Sequence, residues 1–148
     1  MDRPPDHPRA FPRERRLKRR DLLRPLFDRH APDRESLAVG VVRLAWRLVP
    51  REATGQNVPF QVGFAPGRRA RTNAGRTRLR RHLRETFRRH QHGLLRAMAS
   101  RPHEALTLMI LFRGHEDTAS ADLRRDLPRA LDRLVARLGE RTPGSDTP

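Results

Sequence analysis

The chain has 148 residues, with 33 lysines and arginines against 17 aspartates and glutamates, and a formal net charge of +16. That length suits one domain with a modest core, and the absence of cysteine excludes disulfides and thiolate metal sites and fits a cytoplasmic protein. No apolar run approaches the roughly 18 residues of a membrane span, and the basic N-terminus lacks the apolar segment of a secretory signal, so the charge points to nucleic acid or to an anionic surface.

Residues 1–12 hold four prolines among charged side chains and read as a disordered basic arm. Residues 13–138 carry the periodicity of a folded domain. Arg13 to His30 predicts an amphipathic helix whose apolar side is Leu22, Leu23, Leu26 and Phe27. Pro25 falls inside it and predicts a kink or two shorter turns, since proline costs about 3 kcal/mol in a helix interior. Its bases, among them Arg16 and Lys18, make a second positive surface that by itself reads as a solvated face. After a turn at Ala31–Arg34, Leu37 to Val49 predicts one strand, with Val42, Leu44, Trp46 and Leu48 on one side. Trp46 is the only tryptophan and is expected to pack on the strand rather than stack on a base. Val58 to Ala65 is a second strand: Val58, Phe60, Val62 and Phe64 point one way, Pro59, Gln61 and Gly63 the other.

A loop from Arg68 to Gly75 leads into a helix expected to run to about Met98. Ala105 to Phe112 predicts a buried strand. Ala119 to Leu138 predicts a last helix with Leu123, Leu127, Leu131, Leu134 and Leu138 on one side, capped by Thr118 or Ser120 and bent at Pro128. Residues 139–148 read as a disordered polar tail. The order implies an α+β fold: a single-domain two-layer α/β sandwich, α-β-β-(β)-α-β-α, with a mixed sheet packed by helices.

The stretch from Arg68 to His90 organises the chain. It holds ten arginines and a single acid, Glu85. Leu79, Leu83 and Phe87 form an apolar stripe, and Leu94 continues it. Arg76, Arg80, Arg84 and Arg88 form a parallel row, with Arg78, Arg81 and Arg89 elsewhere on the polar side. Like charges four residues apart on a helix repel by about 0.2–0.5 kcal/mol per pair. So many of them, relieved by one acid, imply an anionic partner, and a nucleic-acid backbone supplies the matching repeated charge.

No catalytic constellation is legible: there is no nucleophile elbow and no glycine-rich phosphate loop. His82 and His90 lie about two turns apart on a helix and cannot share a metal without other ligands. Glu116 and Asp117 read as a solvated loop with at most a weak hold on hydrated Mg²⁺. No cofactor is therefore assigned to the protein itself, and any enzyme it serves draws its catalytic groups from elsewhere.

The segment Arg76–Thr77–Arg78–Leu79–Arg80–Arg81–His82–Leu83–Arg84–Glu85 resembles the signature R-N-R-[IL]-K-R-x-[IL]-R-E of the bacterial ribonuclease P protein subunit. Gly63–Phe64 is similar to the strand that leads into that family's basic loop. Arg16–Leu17–Lys18 with Asp21 and Phe27 resembles its opening helix, and Leu106 to Arg113 its apolar strand. The likeness runs in order from about Phe11 to Leu138. Thr77 stands where the family has asparagine, Leu23 where phenylalanine is usual, Phe112 where alanine often precedes the arginine, and Arg68 and Arg69 where lysines are usual.

The resemblance implies an accessory subunit of an RNA enzyme that removes the 5′ leader from precursor tRNA, with Mg²⁺ required by the RNA-containing holoenzyme. It implies that Arg68, Arg69, Arg76, Thr77, Arg78, Arg80, Arg81 and Arg84 bind the catalytic RNA. A cleft between the first helix and the sheet would hold the single-stranded leader, with Arg16, Lys18 and Phe27 contributing; Phe60 and Phe64 serve either that cleft or the core. It also implies a left-handed βαβ crossover, which periodicity cannot show. The competing readings are a basic ribosomal or RNA-chaperone protein with no enzymatic partner, and, ranked last, a DNA-binding regulator, for which no helix-turn-helix pair is visible. Membrane-surface binding is disfavoured because the apolar stripe is needed for the core.

Overall fold

The computed structural model describes residues 11–67 and 70–140. Most of the basic arm (1–10), Arg68, Arg69 and most of the polar tail (141–148) lie outside the described residues. The strands are β1 (Glu35–Val39), β2 (Val42–Pro50), β3 (Phe60–Ala65) and β4 (Glu104–Phe112), and the helices are α1 (Arg20–Phe27), α2 (Asn73–Arg89), α3 (His92–Ala99) and α4 (Ala119–Glu140). The four strands form one sheet in the order β1-β2-β4-β3. β1 and β4 run antiparallel to β2, and β3 runs parallel to β4. The sheet is mixed, as expected, and the parallel pair is joined by a crossover that carries α2 and α3.

Side chains alternate across each strand, and the two faces bury different sets. Leu44, Trp46, Phe60, Val62, Leu106, Leu108, Ile110 and Phe112 join the main core with the stripes of α2, α3 and α4. Ala105, Met109 and Val49 face the other way and are covered by Leu17, Leu22 and Leu26. Helix α1 is thus a small second cover on the face opposite α2.

Several boundaries depart from the sequence reading. The strand expected over 37–49 is a hairpin, because Gly40 takes φ +54° at the first central position of a two-residue turn and Val39 pairs with Val42. The first helix starts at Arg20, after a 3-10 turn at Arg13–Arg15. It runs through Pro25 close to its C-terminus, where few hydrogen bonds are lost. The helix expected to reach Met98 breaks at His90, whose N–H bonds Phe87 O at 3.0 Å and whose Nδ1 lies 3.0 Å from Thr86 O. The polar run Arg88 to His92 offers no apolar residue to hold α2 and α3 in one line. Helix α4 passes through Pro128 without ending, and the Thr118 hydroxyl donates to the Asp122 carboxylate at 2.7 Å. The domain also begins earlier than residue 13: Phe11 is fully packed in the main core.

Asp126 fastens α4 to the hairpin. It is 3% exposed, accepts from Val41 N–H at 3.1 Å and pairs with Arg125 at 2.8 Å. A Cβ at position 40 would collide with its carboxylate, so Gly40 is fixed both by the turn and by this contact. The hydrogen bond from Arg125, helped by Val41 and against burial, holds the Asp126 carboxyl below its usual range.

A depressed folded-state pKa adds stability above the unfolded value, and that stability is lost as pH falls. Denaturant midpoints measured downward from pH 6 should therefore fall more steeply once pH drops below the ordinary value, 3.8, in the wild type than in Asp126→Asn. Equal slopes would show that Asp126 does not couple protonation to folding.

Candidate nucleic-acid interface

Helix α2 cannot be held by its own surface, so its position depends on what it buries. Gly75, Leu79, Leu83, Thr86 and Phe87 are its buried residues, all on the side of the apolar stripe. Phe87 meets three other rings edge-on: Phe11 at 5.8 Å, Phe60 at 5.6 Å and Phe64 at 5.9 Å between centroids. Thr72 caps the N-terminus by accepting from Gly75 N–H at 2.9 Å. Gly75 is where the β4–α4 connection approaches, and a Cβ there would collide with the Glu116 carboxylate. Glu116 is thereby packed against the first turn of the arginine helix.

With the stripe buried, the remaining sides of α2 face outward. Arg76, Thr77, Arg78, Arg80 and Arg81 are exposed and Arg84 is half-buried. Two of the helix arginines have partners that limit them, and a third sits among charges that act on it. Arg76 Nε donates to Ala70 O at 3.2 Å and so closes the preceding loop. Arg88 is paired with Glu85 at 3.3 Å. Arg84 has its pKa lowered first by burial, then by the positive charges of Arg16 and Arg81, against the opposite pull of Glu85.

Asn73, Ala74, Thr77, Arg78 and Arg81 line one shallow groove along the outer side of α2. Asn73 was not singled out by the sequence. It precedes Thr77 by one helical turn, and its amide places a donor and an acceptor beside the hydroxyl that Thr77 offers. The i, i+4 spacing was the available signal.

The residues expected in a cleft beside the first helix divide between the two faces. Phe27 ends α1 and is 58% exposed, the large apolar side chain left in solvent among the described residues. Lys18 is exposed nearby in sequence. Phe60 is wholly buried and Phe64 packs against the same core; both lie on the α2 side. They belong to the core and cannot line a cleft under α1. The reason is strand parity: the side of β3 that faces α1 carries Gln61, Gly63 and Ala65. Arg16 is also displaced from that cleft, since it pairs in register with Val62 along the outer edge of β3.

The α1 side of the sheet is only partly covered. Beyond Met109, the row Ala38–Arg43–Leu111–Ala65 crosses all four strands in register. Ala38 and Arg43 are exposed, and Leu111 and Ala65 are half-buried. Trp46 is not part of this surface: it is buried, with the Arg137 guanidinium 5.6 Å from its ring centroid.

The family model described as Ribonuclease P matches residues 11–135. No curated protein sequence matches the chain. Among solved structures, the fold is similar to that of the Staphylococcus aureus RNase P protein, with a TM-score of 0.57 at 13% identity, covering 81% of this chain and 94% of that one. At that identity the likeness is one of fold.

Because α2 is held by its stripe, Leu83→Ala should cost about 2–5 kcal/mol of stability, and Thr72→Ala about 1 kcal/mol through the lost cap. Arg80→Ala, on an exposed side chain, should leave the denaturant midpoint within experimental error. An Arg80→Ala loss as large as that of Leu83→Ala would show that α2 is not organised this way.

Proposed function

This chain belongs to the ribonuclease P family, and we propose that the outer face of α2 is the surface through which it grips the RNA of that enzyme. It is a protein subunit of ribonuclease P, the ribonucleoprotein endonuclease of tRNA 5′ maturation, and its partner is RNA. The observation that carries the placement is the exposed set Arg78, Arg80 and Arg81 on a helix whose opposite side is locked into the core. A rigid row of guanidiniums suits structured RNA, which is recognised mainly through phosphates and shape.

The finer partners in this reading are the catalytic RNA, bound at α2, and precursor tRNA, whose leader lies on the α1 side. Phe27 supplies an exposed ring for base stacking. Arg43 and Lys18 supply charge, and Leu111 and Ala65 an apolar floor. Phe60 and Phe64 act on the leader only indirectly, by holding β3 and α2 together. Mg²⁺ serves the RNA of the holoenzyme, and the chain's role is to bind and orient. No helix among the described residues is long and apolar enough to cross a membrane, and we assign the protein to the cytoplasm, where tRNA precursors are processed.

The reading is tested by adding the protein to a bacterial ribonuclease P RNA at low Mg²⁺ with precursor tRNA. Leader cleavage should be rescued, and protein freed of RNA should cleave nothing. Phe27→Ala should weaken precursor tRNA binding by about 1–3 kcal/mol, leave mature tRNA binding unchanged and leave the fold intact. Equal loss on both tRNAs would remove Phe27 from the leader site. Failure of the wild type to rescue cleavage would overturn the function.

A further inference from the structure

We propose that the cavity between the β2–β3 connection and residues 101–103 takes one unstacked nucleobase of the RNA that the protein binds. The proposal rests on the reading that the α1 side meets a single strand, and it adds a base-recognising site that neither α2 nor Phe27 supplies.

The cavity measures about 680 Å³, within the range of small-molecule sites, and both its walls are fixed from behind. In one wall the buried Thr54 hydroxyl lies 2.8 Å from Arg51 O and 2.6 Å from Gln56 O, and accepts from Gln56 N–H at 3.1 Å. Gly55, at φ +72°, closes this turn in the left-handed region. Arg51 ties that wall to the other. Its N–H donates to His103 O at 2.8 Å, its Nε to Glu104 O at 3.1 Å and its guanidinium to Arg101 O at 3.3 Å. Arg101 is fastened in turn to the Glu104 carboxylate at 2.7 Å and to Leu138 O of α4 at 2.9 Å. Two connections are thus held as firmly as secondary structure, and a ligand entering between them pays little ordering entropy.

The lining departs from the rest of the molecule in charge. On a protein of net charge +16, this cavity sets Arg51 against Glu52, and the Arg51 guanidinium is already engaged by carbonyls. It is not built to hold a phosphate. Gln56 and Asn57 line it with side-chain amides, each carrying donors and an acceptor, and Pro50 and Pro102 contribute apolar rings; all four are exposed, as is Glu52. A nucleobase is the complement. Its faces rest on apolar rings, an amide matches paired donors and acceptors on its edge, and a carboxylate accepts from an exocyclic amine.

The cavity also adjoins the single-strand surface. Arg19, the residue before α1, donates to Ala53 O at 2.8 Å. Helix α1 therefore abuts the cavity wall at its N-terminal end and bears Phe27 at its C-terminal end, and a strand following the helix meets both.

The base comes from the precursor tRNA leader or from the RNA of the enzyme, and the test separates the two. Affinities are measured for the full-length protein with a bacterial ribonuclease P RNA, alone and with precursor tRNAs in which single leader nucleotides are made abasic. For a leader base, one abasic position should weaken wild-type binding about tenfold. Asn57→Ala should cost about as much on the intact leader, and the two changes together little more than either alone. For a base of the enzyme's RNA, Asn57→Ala should weaken binding to that RNA alone and affect precursor and mature tRNA alike. In both cases the salt slope should match the wild type, because no phosphate contact is lost, and so should the melting temperature, because the side chain is exposed.

Wild-type affinity for both RNAs in Asn57→Ala, Gln56→Ala and Glu52→Ala would overturn the proposal. A loss accompanied by a lower salt slope would also overturn it, marking a phosphate contact. A loss for precursor tRNA in Phe27→Ala beside unaffected cavity variants would leave the single-strand reading of the α1 side standing. If the wild type holds precursor and mature tRNA equally, that reading fails instead, and binding to the enzyme's RNA alone decides the cavity.

Discussion

Everything in this fold depends on keeping a helix that repels itself pressed against a sheet. Phe87 is the centre of that contact. Its ring meets Phe11, Phe60 and Phe64 edge-on, an arrangement worth about 0.5–1.5 kcal/mol per pair beyond burial alone. Like-charge repulsion along α2 costs a few tenths of a kcal/mol per pair. Burial of Leu79, Leu83 and Phe87, at about 1.5–3 kcal/mol each, exceeds it comfortably. The stripe can therefore afford an arginine face that propensity and electrostatics alone would not support.

The same contact explains why the N-terminal segment is part of the machine. Phe11 inserts into the aromatic group, and five residues later Arg16 is held along β3. The chain then turns through Leu17 to cover the opposite face with α1. One short run of sequence thus serves both sides of the sheet. It binds the arginine helix on one side and builds the partly open surface bearing Phe27 on the other.

Much of this was legible in the residues, and the failures have identifiable causes. The stripe of α2, the buried β4 and the leucine side of α4 were read correctly because their periods are long and uninterrupted. The hairpin at Gly40 was missed because Val39, Val41 and Val42 make a continuous apolar run in which one glycine is a weak break. Phe11 reads as part of the arm because prolines and charges surround it; one buried aromatic has no period to announce it. The alternation of β3 sets Phe60 and Phe64 on the side away from Gly63 without saying whether that side is cleft or core. What sequence could not supply was which side α1 covers. The pairing of Arg16 with Val62 is long-range and leaves no local signal.

The parallel pairing of β3 with β4 has a consequence for how the chain reaches its structure. Adjacent parallel strands close only after the whole intervening crossover has been spanned, and here that crossover contains α2 and α3. The step that completes the sheet must compact the most positively charged part of the chain before the contacts that reward it are in place. Screening by salt weakens exactly that repulsion. Ionic strength therefore enters the folding rate as well as the affinity for RNA, and in opposite directions: the ions that ease closure of the sheet compete with the polymer the closed sheet is built to hold.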